Sequence, residues 1–317
     1  MGHFASMADR NAVEQEMPWQ ARGLPQTLHS FLAATAARHA TRKAISFQLL
    51  SGPNDRAETL TWAELMAQAC QAANLFRRLG IGETDVVAYL LPNCTETAVT
   101  LLGGAIAGIV NPINPLLEPA QVASILRETG AKVLVTLKAF PKTEVAQKAA
   151  EAVKHAPAVT TVLEVDLNRY LAPPKRWIVP FVRPKVMVAH HARVLDFNAE
   201  RRRERGSLDF PDSFGDRTCA FFHTGGTTGM PKVAQHRYSG MIYNGWIGQN
   251  AIFTETDVMM CPLPLFHVFA AYPILMSAIA SGAHVVFPTP QGYRGEGVFD
   301  NFWKLIARWR VTVQLSG

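Results

Sequence analysis

Continuously apolar runs alternate with segments of helical periodicity through the first half of the chain. Residues 85–91 and 132–137 are runs of the first kind, which is typical of strands buried on both faces of a parallel sheet. Thr61 and Glu64 have the spacing of a capping box and predict a helix that runs to Leu79. The alternation predicts an α/β fold with mostly parallel sheets and helices packed on both faces.

Two more helices are predicted between these runs. One covers residues 96–109 and returns across the sheet, and the other covers 119–129 and ends at Gly130. The intervening segment 111–115 contains two prolines and is predicted to be a turn. The nearly apolar run 98–110 falls short of the roughly 18 residues that a membrane span needs, so it predicts a buried helix.

The periodicity is lost between residues 166 and 216, where several prolines accompany a basic cluster. Residues 166–205 hold ten basic and four acidic side chains, so this segment accounts for the whole formal net charge of +6. Such a local excess is typical of a surface insertion or linker, and we expect no nucleic-acid partner despite a pI near 9.2.

These changes divide the chain into four predicted parts. Residues 1–20 are expected to be disordered or tag-like, 21–165 to form a first α/β subdomain region, and 166–216 to be the insertion or linker. Residues 217–317 are expected to form a second α/β subdomain region. Because the chain ends within another apolar strand, at 311–315, we expect it to be truncated at its C-terminus.

The N-terminal residues and the cysteines favour a cytoplasmic protein. Residues 1–20 lack the apolar core of an export signal. The four cysteines are far apart and form no C-x-x-C pair, which favours reduced thiols and predicts neither a disulfide framework nor a zinc knuckle.

A loop rich in glycine and threonine follows the predicted strand 218–222. Its glycines allow backbone N–H groups to approach an anion, its hydroxyls can donate hydrogen bonds, and a lysine supplies the opposite charge. The sequence therefore predicts a phosphate-binding loop. Its candidate binding residues are Thr224, Gly225, Gly226, Thr227, Thr228, Gly229 and Lys232.

Two common phosphate-binding motifs do not fit this loop. A P-loop has Gly before its Lys and Ser or Thr after it, whereas Lys232 lies between Pro231 and Val233. The G-x-G-x-x-G fingerprint is also absent, which disfavours a dinucleotide-dependent hydride transfer. A flexible turn between two strands is the purely structural alternative.

The spacing T-x-G-x-T-G-x-P-K resembles the signature of the adenylate-forming superfamily, which includes acyl-CoA synthetases, luciferases and peptide-synthetase adenylation domains. Gly225 replaces the usual Ser or Thr, and Val233 replaces the usual Gly. Further segments resemble the family's landmarks in the same order. They are residues 60–65, 85–93, 111–115, 131–135 and 264–267. The resemblance implies the N-terminal part of an acyl-CoA synthetase-like large domain.

The resemblance also implies a reaction and its substrates. The loop and Lys232 would hold the β- and γ-phosphates of ATP, with magnesium, while a carboxylic acid attacks the α-phosphorus. Acyl-AMP and pyrophosphate would form, and the thiol of CoA would then take the acyl group. A fatty or other hydrophobic acid is the default substrate. Lys232 and His267 are the implied catalytic residues.

His267 resembles the family histidine beside the acyl pocket, but an ordinary core histidine has the same appearance in a sequence. His236 matches a polar family position near the loop, and a solvated helix cap is its alternative. Aromatic and apolar neighbours of His267 are expected either to line an acyl tunnel or to belong to the core. They are Phe266, Phe269, Tyr272 and Met276.

Motifs that hold adenine, ribose and magnesium in the family do not occur before Gly317. The resemblance therefore implies that the chain is an N-terminal fragment, inactive alone, of an AMP-forming acid:CoA ligase. The alternatives are a non-catalytic phosphate- or acyl-binding remnant and a ligase that loads a carrier-protein thiol.

The basic segment has three possible roles. It is a solvated loop, a peripheral membrane contact for acidic head groups through Trp177, Ile178 and Phe181, or part of a CoA phosphate site.

Overall fold

The computed structural model describes residues 6–213, 215–224 and 232–314, with Thr224 described by its backbone alone. Within these ranges the chain forms two sheets. The strands are β1 Lys43–Gln48, β2 Ala57–Thr61, β3 Val86–Leu90, β4 Ile109–Pro112, β5 Val133–Leu137, β6 Thr161–Val165, β7 Arg193–Asp196, β8 Thr218–Thr224, β9 Lys232–Arg237, β10 Val258–Met260, β11 His284–Phe287 and β12 Val313–Gln314.

The α-helices of the described ranges are α1 Met7–Glu16, α2 Leu28–His39, α3 Trp62–Arg78, α4 Thr95–Ala107, α5 Pro119–Thr129, α6 Val145–Lys154, α7 Lys175–Val182, α8 Phe197–Arg201, α9 Tyr238–Ala251, α10 Ser277–Ser281 and α11 Phe302–Trp309. A π-helical segment, Ala270–Met276, runs directly into α10. Short 3₁₀ helices cover Trp19–Arg22, Leu167–Tyr170 and Gly292–Arg294.

Both sheets of the described chain are mostly parallel, as predicted. The seven-stranded sheet has the order β7-β6-β5-β3-β4-β8-β9, and only β9 pairs antiparallel. The five-stranded sheet has the order β12-β10-β11-β1-β2, and only β2 pairs antiparallel. The α/β fold class is therefore confirmed.

The helices connecting β3, β4 and β5 cover both faces of the seven-stranded sheet. The chain crosses from β3 to β4 in one direction and from β4 back past β3 to β5 in the other. Since such crossovers are nearly always right-handed, α4 and α5 lie on opposite faces. α4 is buried along its whole length and contacts strands of both sheets. Among the described residues, no helix is both long and apolar enough to cross a bilayer.

Local signals placed several helix ends correctly. The Thr61–Glu64 capping box is present at the start of α3, and α5 has the predicted bounds. Gly130 ends α5 with φ +63°, in the left-handed region that glycine favours. At Gly103 of α4, an added Cβ atom would lie only 2.6 Å from the Cβ atom of Ala72 in α3, so the glycine permits the close approach of these helices.

The prediction of a turn at 111–115 was wrong for its first two residues. Asn111 and Pro112 belong to β4, a four-residue strand between β3 and β8. The sequence signal was misleading because Pro112 lacks a backbone donor and the strand is short. β4 is stabilised by pairing with β3 and β8. The periodicity of its own four residues does not reveal these partner strands.

The four predicted parts are more closely joined in the structure than the sequence pattern suggested. The 166–216 segment contributes β7 and α8 in addition to α7. Each sheet takes strands from both sides of this segment. α1 lies within residues 1–20, where Ser6 and Asp9 form a capping box, and none of its residues is buried. The boundaries themselves stay a prediction.

Candidate functional site

Two paired strands bracket the predicted phosphate-binding loop. Thr224 at the end of β8 lies opposite Lys232 at the start of β9 in an antiparallel register. β8 also pairs with β4, so the sheet holds the strand that enters the loop. Lys232 is exposed. Residues 225–231 lie outside the described residues, so the phosphate contacts of Gly225, Gly226, Thr227, Thr228 and Gly229 stay a prediction.

The start of β8 is anchored by the guanidinium group of Arg217. Arg217 donates to the carbonyl oxygens of Ala105, Ile106 and Gly108 at 2.9, 2.9 and 2.7 Å. It also donates to the hydroxyl of Tyr238, which begins α9, at 2.6 Å. Because the last carbonyls of a helix lack partners within the helix, this cation satisfies the end of α4 and connects it to both β8 and α9.

His223 is the last residue of β8 before Thr224, and its hydrogen bonds determine its tautomer. The Thr129 hydroxyl donates to the Ile125 carbonyl oxygen at 2.8 Å, so it accepts from Asn111 Nδ2 at 3.1 Å. Asn111 Oδ1 is then the acceptor for His223 Nε2–H at 2.7 Å. His223 Nδ1 is left as a buried acceptor without a partner among the described residues. Burial also lowers the pKa of His223, which favours this neutral form.

Phe222, His236 and Tyr272 form an aromatic cluster beside the two strands. The Tyr272 ring centroid lies 5.4 Å from that of Phe222 and 5.0 Å from that of His236. His236 is half-buried within β9, so it is not a solvated helix cap. The Tyr272 hydroxyl is buried and has no partner among the described residues. Burial raises the pKa of Tyr272, so the hydroxyl is a neutral group that can donate.

The segment before His267 is held by side chains at the end of β3. Tyr89 donates to the Leu265 carbonyl oxygen at 2.7 Å. Asn93 donates to the Leu263 carbonyl oxygen at 2.8 Å and accepts from the Leu265 N–H at 2.9 Å. These bonds join the edge of the seven-stranded sheet to the loop that follows β10, so the position of His267 depends on both sheets.

His267 is exposed, so the structure does not place it in the core. The ring atom Nδ1 of His267 accepts from the Phe269 backbone N–H at 3.2 Å. The backbone N–H of His267 donates to the Pro264 carbonyl oxygen at 2.9 Å. The π-helical segment Ala270–Met276 follows and carries Tyr272 onto β8 and β9. The structure thus connects the His267 segment to the two strands that bracket the predicted phosphate-binding loop. The catalytic roles of His267 and Lys232 stay predictions.

The four proposed tunnel residues do not share one environment. Tyr272 and Met276 are buried, Phe266 is half-buried, and Phe269 is 43% exposed. No site role was predicted from the sequence for Arg217, Tyr89, Asn93 or the Asn111–His223 pair. Asn93 and Asn111 had a usable signal, since each is a polar residue where an apolar run ends.

The described residues hold no group of three or more His, Cys, Asp or Glu side chains that could bind a metal ion. No magnesium ligand is therefore assigned to them.

With this geometry established, comparison with known proteins identifies the class. Residues 32–316 match the family of AMP-binding enzymes, and the chain belongs to that family. The fold is that of the N-terminal part of adenylate-forming enzymes, as the sequence resemblance implied.

Particular relatives are similar over most of this chain. Marinolic acid–CoA ligase of Pseudoalteromonas sp. (strain SANK 73390) is 29% identical over 98% of this chain and 45% of its own length. 4-Coumarate–CoA ligase of Pinus taeda is 28% identical over 81% of this chain and 42% of its own length. The chain therefore spans less than half the length of these curated relatives.

Solved structures support the same fold. The anthranilate CoA ligase AuaEII, solved in complex with anthranoyl-AMP, matches with a TM-score of 0.73 at 21% identity, over 94% of this chain and 51% of its own. The N-terminal domain of FACL13 from Mycobacterium tuberculosis matches with a TM-score of 0.67 at 21% identity, over 92% of this chain and 62% of its own.

Proposed function

We propose that the protein containing this chain activates a carboxylic acid with ATP and transfers the acyl group to CoA. In the first step a carboxylate oxygen attacks the α-phosphorus of ATP, and the bond to pyrophosphate breaks. In the second step the CoA thiol loses its proton and attacks the acyl carbon, and AMP leaves. The observation that carries the proposal is the antiparallel pairing of Thr224 with Lys232 on either side of a loop of the family's type.

In this proposal the chain contributes mainly position and charge. β4 and β9 hold β8 on both sides, so the entry to the loop has a defined direction. Lys232 at the start of β9 would neutralise phosphate charge, and the glycines and hydroxyls of the loop would donate to phosphate oxygens. Magnesium would neutralise further phosphate charge when bound. Phosphoryl chemistry of this kind needs little covalent help from the protein.

The acid is proposed to be fatty or otherwise hydrophobic. Relatives of this chain are named as ligases of marinolic and 4-coumaric acids, and a structural neighbour is named for anthranilate. His267 is proposed to lie near the acid, because it is exposed and follows a segment that Tyr89 and Asn93 hold in place. CoA is proposed as the acceptor on the strength of the same names.

The test is acid-dependent exchange of labelled pyrophosphate into ATP in the presence of magnesium. Fatty acids of several lengths and aryl acids would be screened with the longer protein that contains this chain. We expect exchange with one class of acid and a loss of about 100-fold in kcat/KM for Lys232→Ala. Arg237→Ala, at the other exposed end of β9, is the matched control and should retain activity.

The same assay separates the alternatives. The 317-residue chain alone should give no exchange, since the family's adenine and ribose motifs are not within it. No exchange by a folded longer protein with any acid would support a non-catalytic binding remnant. Exchange without thioester formation on CoA, but with transfer to a carrier-protein thiol, would replace the proposed acceptor.

A further inference from the structure

The helix α7 presents apolar side chains to solvent on most of its surface. Within α7 only Val179 is buried. The exposed fractions are 66% for Trp177, 52% for Ile178, 90% for Phe181 and 56% for Val182. The segment that follows adds Val186 and Met187, exposed at 37% and 84%. These six exposed residues are termed the α7 surface. Monomeric proteins rarely expose such a concentration of large apolar side chains without a partner.

Specific contacts hold α7 against the rest of the protein. Arg183, directly after the helix, donates to both carboxylate oxygens of Asp166 at 3.0 and 2.8 Å and also to the Ala139 carbonyl oxygen. Val179 packs into the main core. The inner side of α7 is therefore anchored at the ends of β5 and β6, and the outward direction of its apolar side chains is a property of the fold.

The chain segment that carries the α7 surface is basic. Residues 167–195 contain no Asp or Glu. Of the six Lys and Arg residues in this range, Arg169 and Arg183 form ion pairs. The other four have no ion pair among the described residues, and all four are exposed. They are Lys175, Arg176, Lys185 and Arg193. The apolar side chains thus belong to a segment of net positive charge.

We propose that the α7 surface docks on a membrane that contains anionic phospholipid. Apolar and aromatic side chains on a short helix, next to Lys and Arg, fit the boundary between head groups and acyl chains, and anionic lipids supply the opposite charge. A second copy of this chain fits less well, because docking two such surfaces would bring like charges together. The proposal concerns peripheral contact alone and is independent of the proposed ligase activity.

Vesicle cosedimentation of the 317-residue chain tests the proposal. Vesicles of phosphatidylcholine with phosphatidylglycerol would be compared with vesicles of phosphatidylcholine alone, at low and high salt. We expect binding to the anionic vesicles that weakens with salt. The double variant Trp177→Ser with Phe181→Ser should lower the partition coefficient about tenfold or more, because two large apolar side chains no longer insert.

Two further variants make the result specific to α7. Phe299→Ser with Trp303→Ser removes two aromatic residues that are similarly exposed, at 71% and 77%, and should change the partition coefficient by less than about twofold if α7 is the contact. Lys175→Gln with Lys185→Gln should remove much of the preference for anionic vesicles while the apolar side chains remain. Circular dichroism would confirm that each variant is folded.

Several outcomes would overturn the proposal. These are an absence of binding to anionic vesicles, equal binding to both kinds of vesicle, or equal losses in the α7 and the Phe299 and Trp303 variants. Self-association of the chain in solution that Trp177→Ser with Phe181→Ser abolishes, without any vesicle binding, would assign the α7 surface to contact between copies.

Discussion

Arg169 and Arg217 stabilise opposite ends of α4 by different means. Arg169, near α7, donates to the carboxylates of Glu58 and Glu96, at 3.0 and 2.9 Å. Glu96 is 2% exposed and also accepts from Tyr170 and Asn198, both at 2.6 Å. Arg217, at the start of β8, has no carboxylate partner among the described residues and donates to backbone carbonyls and hydroxyls instead.

The difference shows two ways of burying part of a cation. Arg169 is matched by formal charges, so its loss would leave the carboxylate of Glu96 buried without its cation. Arg217 is matched by partial charges at the end of α4, where carbonyl oxygens point along the helix axis. The loss of Arg217 would leave those carbonyl oxygens without this donor, but it would leave no formal charge buried without a partner. We therefore expect Arg169 to matter more for stability.

Replacing Arg169 should have the largest effect. We expect Arg169→Met to lower the free energy of unfolding by about 3–5 kcal/mol, because a buried carboxylate loses its counter-charge. Urea unfolding measures the change, and the exposed Arg202→Met serves as the control with an expected change within about 0.5 kcal/mol. A loss below about 1 kcal/mol would mean that Glu96 does not depend on Arg169.

Replacing Arg217 should have a smaller but clear effect. We expect Arg217→Met to cost about 2–4 kcal/mol, because several carbonyls at the end of α4 lose a charged donor. The same unfolding assay applies, with Arg237→Met as an exposed control whose ion-pair distance to Asp216 is 3.7 Å. If Arg217→Met costs more than Arg169→Met, the contrast drawn between the two arginines is wrong.

The pH dependence of stability sharpens the contrast, because among the described residues Arg169 pairs with carboxylates and Arg217 does not. Burial acts to raise the pKa of Glu58, but hydrogen bonding and charge from Arg169 outweigh burial, so the pKa lies below its ordinary value of 4.5. Ionised Glu58 therefore stabilises the fold above about pH 4.5, and this contribution is lost as the pH falls through the folded-state pKa.

Glu58→Gln should thus be less stable than the unsubstituted chain at pH 6, and the difference should shrink as the pH is lowered towards 3. Urea unfolding across this range measures it, and Arg217→Met should show no such convergence. A difference for Glu58→Gln that is constant with pH would rule out this linkage.

Removing the hydroxyl of Tyr272 should change the free energy of unfolding least, and in the opposite direction to the arginine replacements. Since this buried group has no partner among the described residues, Tyr272→Phe should leave stability unchanged or raise it by up to about 2 kcal/mol. Thermal unfolding measures the change. A loss of stability would show that the hydroxyl has a partner outside the described residues. A loss of pyrophosphate exchange at unchanged stability would assign the hydroxyl to a ligand.

Elements with strong local signals were predicted closely. α5 has the predicted bounds, and α3 begins at the predicted capping box, because backbone and side-chain groups within a few residues determine these ends. β4 was missed because its stability comes from β3 and β8. β7 was missed because its residues are largely exposed and, within the described part of the chain, pair with β6 alone at the sheet edge.

For the candidate site, the order of residues was enough to indicate phosphate chemistry. Thr224 to Gly229 and Lys232 are close in sequence, so their combination of glycines, hydroxyls and charge is visible without a fold. The supporting residues could not be found in this way. Arg217 reaches carbonyls more than a hundred positions earlier in the chain, and Tyr89 reaches Leu265.

The sequence by itself therefore determined the fold class and the family, and it predicted phosphate binding by the loop, because these depend on periodicity and on short motifs. Only the tertiary structure decided that Thr224 faces Lys232, that His223 and Tyr272 hold buried polar atoms without described partners, and that α7 turns its apolar side outwards. Each of these depends on which distant strands and helices pack together, and contacts of that range leave no periodic trace along the chain.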